Sequence, residues 1–354
     1  LPELQDIPDE DLEIYDPDFE NVSTDQKINL TKQSEKVAME TDKRMINAQS
    51  NYGDTLTHVY LVNSKGFAGT YSRTMAYNYI RATAKDESDS AAGFGIGFSN
   101  YFSELDPDAI GKEAAYKTTM TLGATPVKTQ VASVVFDPMI FGEILAAIAT
   151  ALTADAMQRG VSFLLGKMGQ DVASDKVTLL DNPRQKRGVA SALFDGEGVP
   201  TSATRLIDEG VLQNVIYDTY SARRDGVIST GNAQRGSHRA LPALGPSNFY
   251  IQPGQKTQEE ILKSVEKGLY VTRIMQTGGI NPINGDCSMS ASGMWIENGE
   301  FKHPVNGVTI ATTLHDLLKN VSEVGSDLTF APVGGSISSP TVRVENVTIG
   351  GTKE

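Results

Sequence analysis

VASVVFDPMIFGEILAAIATAL, residues 131–152, decides the fold. Its first six residues, Val131 to Phe136, have the short apolar character of a buried strand. Asp137-Pro138 then ends the strand, and proline suits a first helical turn, where its missing N–H leaves no bond unmade. The helix that follows is expected to run to about Met157, and from Ile140 to Leu152 it is almost wholly apolar. A helix without a polar stripe has to be covered on every side. The stretch therefore predicts an α+β fold, with helices packed on largely antiparallel, mixed sheets.

Downstream, strands alternate with turn signals. Arg205–Ile207 and Val211–Tyr217 flank Asp208-Glu209-Gly210, a hairpin pattern. Thr257-Gln258-Glu259-Glu260 is a capping box for a short helix that Gly268 is placed to close. Gly268–Met275, Met294–Glu297 and Glu300–Lys302 read as strands, the last two joined by a turn at Glu297-Asn298-Gly299. A helix over Leu314–Val321 and a strand over Thr341–Ile349 follow. Upstream, Ser23 or Thr24 caps a helix reaching Arg44. Strands begin at Thr57, and Ser64-Lys65-Gly66 turns toward a long strand over Tyr71–Thr83. Asp106-Pro107 opens a helix that Gly123 is placed to end. Residues 5–21, acidic and spaced by prolines, read as a solvated arm. Two units are expected, 1–125 and 126–354, and no internal repeat is visible.

Composition narrows the function. The 354 residues hold 31 basic and 44 acidic side chains, a formal charge of -13 that repels nucleic-acid backbones and anionic membranes. The densest basic cluster, Arg184-Gln185-Lys186-Arg187, is too short to offset it. One cysteine, Cys287, excludes an internal disulfide framework and fits a reducing compartment. No apolar run approaches the length of a membrane span, and a cytoplasmic location is expected. The start, Leu1-Pro2-Glu3, has neither methionine nor the order of a signal peptide, so the chain reads as clipped.

Metal chemistry is the first to test. Two histidines ligate one metal from one helix only when closely spaced. His58, His238, His303 and His315 are never closer than the last two, and Pro304 stands between those. Each reads as a surface or hydrogen-bonded residue, with a site gathered from distant loops as the alternative. Cys287 follows Asp286, whose charge disfavours a thiolate, and reads as a small packed residue. Gly93-Phe94-Gly95-Ile96-Gly97 lacks the Lys-Ser/Thr of a phosphate loop and reads as a glycine-rich strand or turn. Arg223-Arg224 either holds a carboxylate or pairs with surface acids. Phe194-Asp195-Gly196-Glu197-Gly198-Val199-Pro200-Thr201 sets two carboxylates among glycines, where a backbone can approach a ligand. A tight turn whose acids bind neighbouring amides explains it equally well.

Several segments, in order, resemble the TldD/PmbA family and specifically its PmbA (TldE) branch. They are VSFLLGKMG at 161–169, FDGEGVPT at 194–201, RLIDEGVLQN at 205–214, YDTYSARRDGVISTGNA at 217–233, GLYVTRIM at 268–275 and GDCSMSASGMWIENGE at 285–300. The resemblance covers most of residues 126–354 and implies a two-domain architecture whose N-terminal α/β part is largely absent here. On that reading, residues 1–125 are the remainder of the N-terminal domain, with the acidic arm and a linking helix, and 126–354 are the β-rich C-terminal domain.

The family implies a protease system acting on unfolded or modified peptides. Its TldD-type subunit carries zinc on a helical His-Glu-x-x-x-His and a later cysteine. Alignment on VSFLLGKMG places Leu145 and Thr150 in the two histidine slots, on one side of the helix, and Ala146 in the glutamate slot. None of these side chains ligates zinc or moves a proton. No cysteine follows Cys287, which itself stands where relatives usually carry an aromatic residue. The resemblance therefore implies a non-catalytic subunit, without catalytic residues, metal or cofactor of its own, paired with a TldD-like zinc subunit. Asp195, Glu197, Gly198, Asp286 and Ser288 are its candidate peptide-cleft residues. A homodimeric peptide- or protein-binding module is the alternative, and a hydrolase using Asp195 and Glu197 a third reading. The gyrase modulation attached to the family name is expected to act through peptide processing, not DNA contact.

Overall fold

The computed structural model describes residues 2, 4–87, 89–275, 279–330 and 336–352, so Leu1 and Glu3 of the quoted start lie outside it. Ser23 opens α1 (Thr24–Thr41) through a capping box with Gln26. An antiparallel sheet follows, in the order β1 (Met45–Val62), β2 (Ala68–Lys85), β3 (Ser90–Ser99). Then comes α2 (Pro107–Thr119), which Asp106 caps through the amides of Asp108 and Ala109. β1 begins well before the expected Thr57 because its first half, MINAQSNYGDTL, is a half-exposed ribbon without apolar alternation. Eighteen residues per strand make β1–β2 a ribbon about 60 Å long.

The glycine run reads correctly as strand, and the structure gives its reason. Gly93, Gly95 and Gly97 face α2 from alternate positions of β3. A Cβ would stand 2.5 Å from Thr118, 2.4 Å from the Ile110 carbonyl oxygen and 2.5 Å from the Ile110 side chain, respectively. The stripe lets α2 lie flat on the sheet.

The rest of the described chain is built around the apolar helix. β4 (Gln130–Phe136) leads through Asp137, whose side chain accepts from the Met139 amide, into α3 (Pro138–Ala151). The helix stops earlier than expected. Thr153 turns extended and re-caps a short α4 (Ala154–Gln158). There Ala154 N–H donates to Ile216 O at 2.9 Å, and Ile216 N–H donates to Leu152 O at 3.0 Å. A backbone bridge from the later chain thus replaces the next helical turn.

Short elements come next: β5 (Leu179–Asp181), β6 (Thr204–Asp208), β7 (Val211–Leu212), α5 (Thr219–Asp225), β8 (Ala233–Gln234), β9 (Ala243–Leu244), β10 (Asn248–Ile251) and α6 (Gln258–Lys263). β7 is shorter than expected, and α5 takes up the chain soon after it. α6 ends at Ser264; Gly268 instead lies in β11 (Lys267–Met275), where a Cβ would stand 2.5 Å from Ser133 O. β12 (Asp286–Glu297) and β13 (Glu300–Thr313) extend the expected hairpin in both directions. α7 (Leu314–Lys319), β14 (Val321–Val324), β15 (Ser336–Ser338) and β16 (Val342–Gly350) follow.

The large sheet runs β13-β12-β11-β4-β16-β14, and an added β13–β16 pairing closes five of its strands into a ring. Only β4–β11 is parallel within it. A second sheet, β15-β10-β5-β6-β7, lies on α3's other flank. Phe141, Ile144, Leu145 and Ile148 of α3 have no exposed surface, and they share one core with Val134, Phe136, Leu269, Val271, Ile310 and Ile349 of the ring.

Residues 5–21 depart from expectation in part. Residues 5–11 are largely exposed, as a solvated arm would be, but 12–21 form a docked strap with Leu12, Ile14 and Phe19 buried. Ile14 O accepts from Thr74 N–H at 2.9 Å, and Leu12 O accepts from Arg187 N–H at 2.9 Å. The short basic cluster takes acids of arm and strap: Arg184 meets Glu10 at 3.2 Å, and Lys186 and Arg187 meet Glu13 at 2.7 and 3.0 Å.

Gly95→Ala is expected to cost roughly 1–3 kcal/mol of unfolding free energy, read from a denaturant midpoint, because backbone opposes the new methyl group. Gly236→Ala, with open space around its Cβ position, is the control and is expected to stay within about 0.5 kcal/mol.

Candidate functional site

The tip of the long ribbon docks on the FDGEGVPT loop. Phe67 is buried and meets Phe194 edge-to-face at 5.1 Å, and Tyr71 meets the same ring at 5.2 Å. Two glycines make room: a Cβ at Gly69 would lie 2.7 Å from Phe194, and one at Gly198, held at φ +85°, would lie 2.9 Å from Phe67. Gly198 is thus a floor for an aromatic ring.

Asp195 staples the same loop. Its Oδ1 accepts from the amides of Glu197 and Val199, both at 2.9 Å, and its Oδ2 from Ala233 N–H at 3.1 Å. Burial pushes its carboxyl up to about 6, although those three amides pull the other way. Glu197 accepts from Thr219 N–H at 2.9 Å, at the start of α5. Of the two readings of these acids, the geometry favours the turn whose carboxylates bind amides.

A second carboxylate, which the sequence reading missed, does similar work. Asp181 is fully buried and accepts from Asn232 Nδ2 at 2.6 Å, Ser247 N–H at 2.7 Å and Ser247 Oγ at 2.9 Å. Burial pushes it up to about 6 as well. Together Asp181 and Asp195 hold both ends of segment 231–247. Nothing in LLDNP announces this, because both partners come from more than fifty residues away.

These contacts frame a cleft of about 700 Å³. Residues 57–61 of β1, with Tyr71 and Arg73 of β2, form one wall; loop 190–196 and segment 231–238 form the other. Among the described residues β1 pairs only with β2, which leaves its outer edge free along this wall. His58 and His238 line the cleft together, and His58 Nδ1 lies 2.7 Å from Ser72 Oγ. His303 Nδ1 instead meets Thr125 Oγ1 at 2.8 Å, and His315 lies on α7. Among the described residues no three His, Cys, Asp or Glu side chains gather as a metal site.

Of the five expected cleft residues, Asp195 alone lines this space. Glu197 and Gly198 stand behind it in the loop. Asp286 and Ser288 are exposed on β12, where Asp286 accepts from Asn284 Nδ2 at 2.6 Å. Cys287 between them is buried, and burial pushes its thiol up to about 12, so it is the packed residue expected. Arg223 and Arg224 occupy the last turn of α5, where positive charge favours the helix end.

The three α3 positions also separate. Leu145 is wholly inside the core, whereas Ala146 is half-buried and Thr150 exposed. Five residues advance a helix to about 140° from the starting direction, so positions 145 and 150 do not share a side as expected. The accessible stripe of α3 is Met139, Glu143, Ala146 and Thr150.

The two raised carboxyls set a pH dependence. The folded chain keeps the Asp181 proton up to about 6, whereas the ordinary value is 3.8, so the folded state binds more protons between them. Stability should therefore fall as pH rises through that window, by ~1 kcal/mol per unit for each such group. Denaturant titrations at successive pH values are expected to show the slope, and Asp181→Asn to remove about half of it, Asp195 keeping its own.

Residues 129–351 match the PmbA/TldA metallopeptidase C-terminal domain, and residues 17–122 match the central domain of the same proteins. The chain is 31% identical over 324 residues to the metalloprotease PmbA of Escherichia coli O157:H7, covering 90% of this chain and 68% of that protein. A metalloprotease TldD homolog of Buchnera aphidicola subsp. Schizaphis graminum is 26% identical over 366 residues, covering 96% of this chain and 75% of its own length. Among solved structures, TldE from Thermococcus kodakarensis superposes with a TM-score of 0.91 at 26% identity, covering 99% of this chain and 79% of that one. A putative modulator of a DNA gyrase from Thermotoga maritima gives 0.91 at 27%, with the same coverage. With both domains matched in order and a PmbA relative 31% identical over 68% of its own length, the chain belongs to the PmbA/TldA metallopeptidase family.

Proposed function

We propose that this chain is a non-catalytic, PmbA/TldE-like subunit that works in the cytoplasm with a TldD-type zinc subunit on unfolded or modified peptides. The observation that carries the reading is the chemistry of α3. Its accessible stripe offers a thioether, one carboxylate, a methyl group and a hydroxyl, with no imidazole or thiolate. Leu145, assigned to a ligand slot, is sealed in the core. These residues do not fit zinc, and no step of hydrolysis is assigned to them. Zinc and the hydrolytic step belong to the partner.

This chain's part is to hold substrate. The free β1 edge along residues 57–61 presents unpaired N–H and C=O groups to an extended peptide, which joins as an added strand. Main-chain bonds accept any sequence, as a protease for unfolded peptides requires.

The isolated chain is expected to contain no stoichiometric zinc and to show no chelator-sensitive peptide cleavage, while its mixture with a TldD-type subunit shows both. Zinc analysis and cleavage of a fluorogenic peptide measure this, and stoichiometric zinc with cleavage by the chain alone would overturn it. A stable homodimer that ignores every TldD-type subunit would favour the binding-module alternative. Proline tests the edge itself. Successive residues of an antiparallel edge strand direct their N–H groups alternately inward and outward. Of Val59→Pro and Tyr60→Pro, the outward one is expected to weaken peptide binding several-fold with the fold intact, by circular dichroism, and the inward one to disturb the ribbon.

A further inference from the structure

A smaller cavity, of about 330 Å³, lies beside Ile140 and Glu143 of α3, bounded by α2, β2 and β3 on one side and by β11 to β13 on the other. Glu143 of α3 stands in its wall, half-buried, and burial raises its carboxyl above the usual range. Among the described residues it has neither a hydrogen bond nor an ion pair. Arg81 of β2 and Arg273 of β11 also line the cavity, exposed and equally without a partner there.

The cavity's other charges are already satisfied. Lys117 pairs with Glu113 at 2.8 Å and Asp137 at 3.3 Å, and Asp89 accepts from the amides of Ser90 and Gly123. One carboxylate and two guanidiniums, from three elements far apart in sequence, are therefore left over in one space. Tyr79 and Phe94, with ring centroids 5.8 Å apart, add an apolar wall. A half-buried carboxylate without a partner is costly, and a ligand cation that pairs with it recovers the cost. Guanidiniums bind carboxylates through paired N–H donors. The volume lies at the low end of ligand pockets, roughly 300–1,000 Å³, which suits a few residues of peptide and excludes a folded chain.

From this juxtaposition we infer that the cavity is a binding site for short unblocked peptides, their terminal ammonium on Glu143 and their terminal carboxylate on Arg81 and Arg273. The inference rests on the peptide-handling reading above but locates a second place for peptide, on α3, distinct from the β1 edge. It gives this subunit selectivity for small fragments with both ends free, the chemical class that proteolysis releases.

Calorimetric titration of the isolated full chain with di-, tri- and tetra-alanine tests it, each with free ends, N-acetylated or C-amidated. One length is expected to bind saturably at low millimolar concentration or below, with either blocking group weakening it roughly tenfold or more. Glu143→Gln is expected to erase the penalty for acetylation and keep that for amidation. Arg81→Gln with Arg273→Gln is expected to do the reverse. Circular dichroism confirms that each variant folds. Absence of saturable binding by any free peptide, indifference to blocking, or acetylation sensitivity that survives Glu143→Gln would overturn the proposal. Because no zinc subunit or cleavage is involved, the result is independent of whether the chain has a protease partner.

Discussion

A helix with almost no polar face imposes the architecture of the larger part of this chain. Ile144, Leu145 and Ile148 leave no surface to water, so strands have to surround α3 on several sides at once. The ring closed by β13 and β16 does this on one flank, and the sheet from β15 to β7 on another. Asp137 binds the two together. It caps α3, accepts from Tyr270 Oη at 3.0 Å and pairs with Lys117 of α2, so one buried carboxylate joins helix, ring and the neighbouring layer. A buried charge is tolerable there because every oxygen has a donor.

What the sequence disclosed was local. The capped starts of α1, α2, α3 and α6 were legible because each cap is a contact between residues a few positions apart. The glycine run was legible as strand, though the reason for it, the flat seat of α2, was not. Elements governed by distant partners were misread. The break after Ala151 is made by Ile216, the strap at 12–21 is held by residues 74, 186 and 187, and the first half of β1 is strand only because β2 pairs with it. Strand propensity says little when both faces of a ribbon are half wet.

The same division applies to function. The residue pattern of loop 194–201 makes its two carboxylates candidates for chemistry as much as for a tight turn. Three dimensions decide for the turn, since both are committed to backbone amides. Conversely Glu143 and Arg81 carry no motif, and the GLYVTRIM segment that holds Arg273 gives it no role. Each is an ordinary charged residue on an ordinary element, and only the fold reveals that they face one space without partners. A sequence can display residue types, whereas unsatisfied valence is a property of an assembled surface.

The docking of Phe67 on Gly198 has a mechanical consequence. β1–β2 is rooted under α1 and α2 at one end and wedged between Phe194 and the loop at the other. A ribbon so fixed behaves as a strut under load. Any twist of its helical root must reappear at the cleft wall formed by residues 57–61, and any ligand that splays the wall must strain the root. The two parts of the chain are therefore geared to one another through this aromatic wedge, in addition to the strap and the Lys117–Asp137 pair.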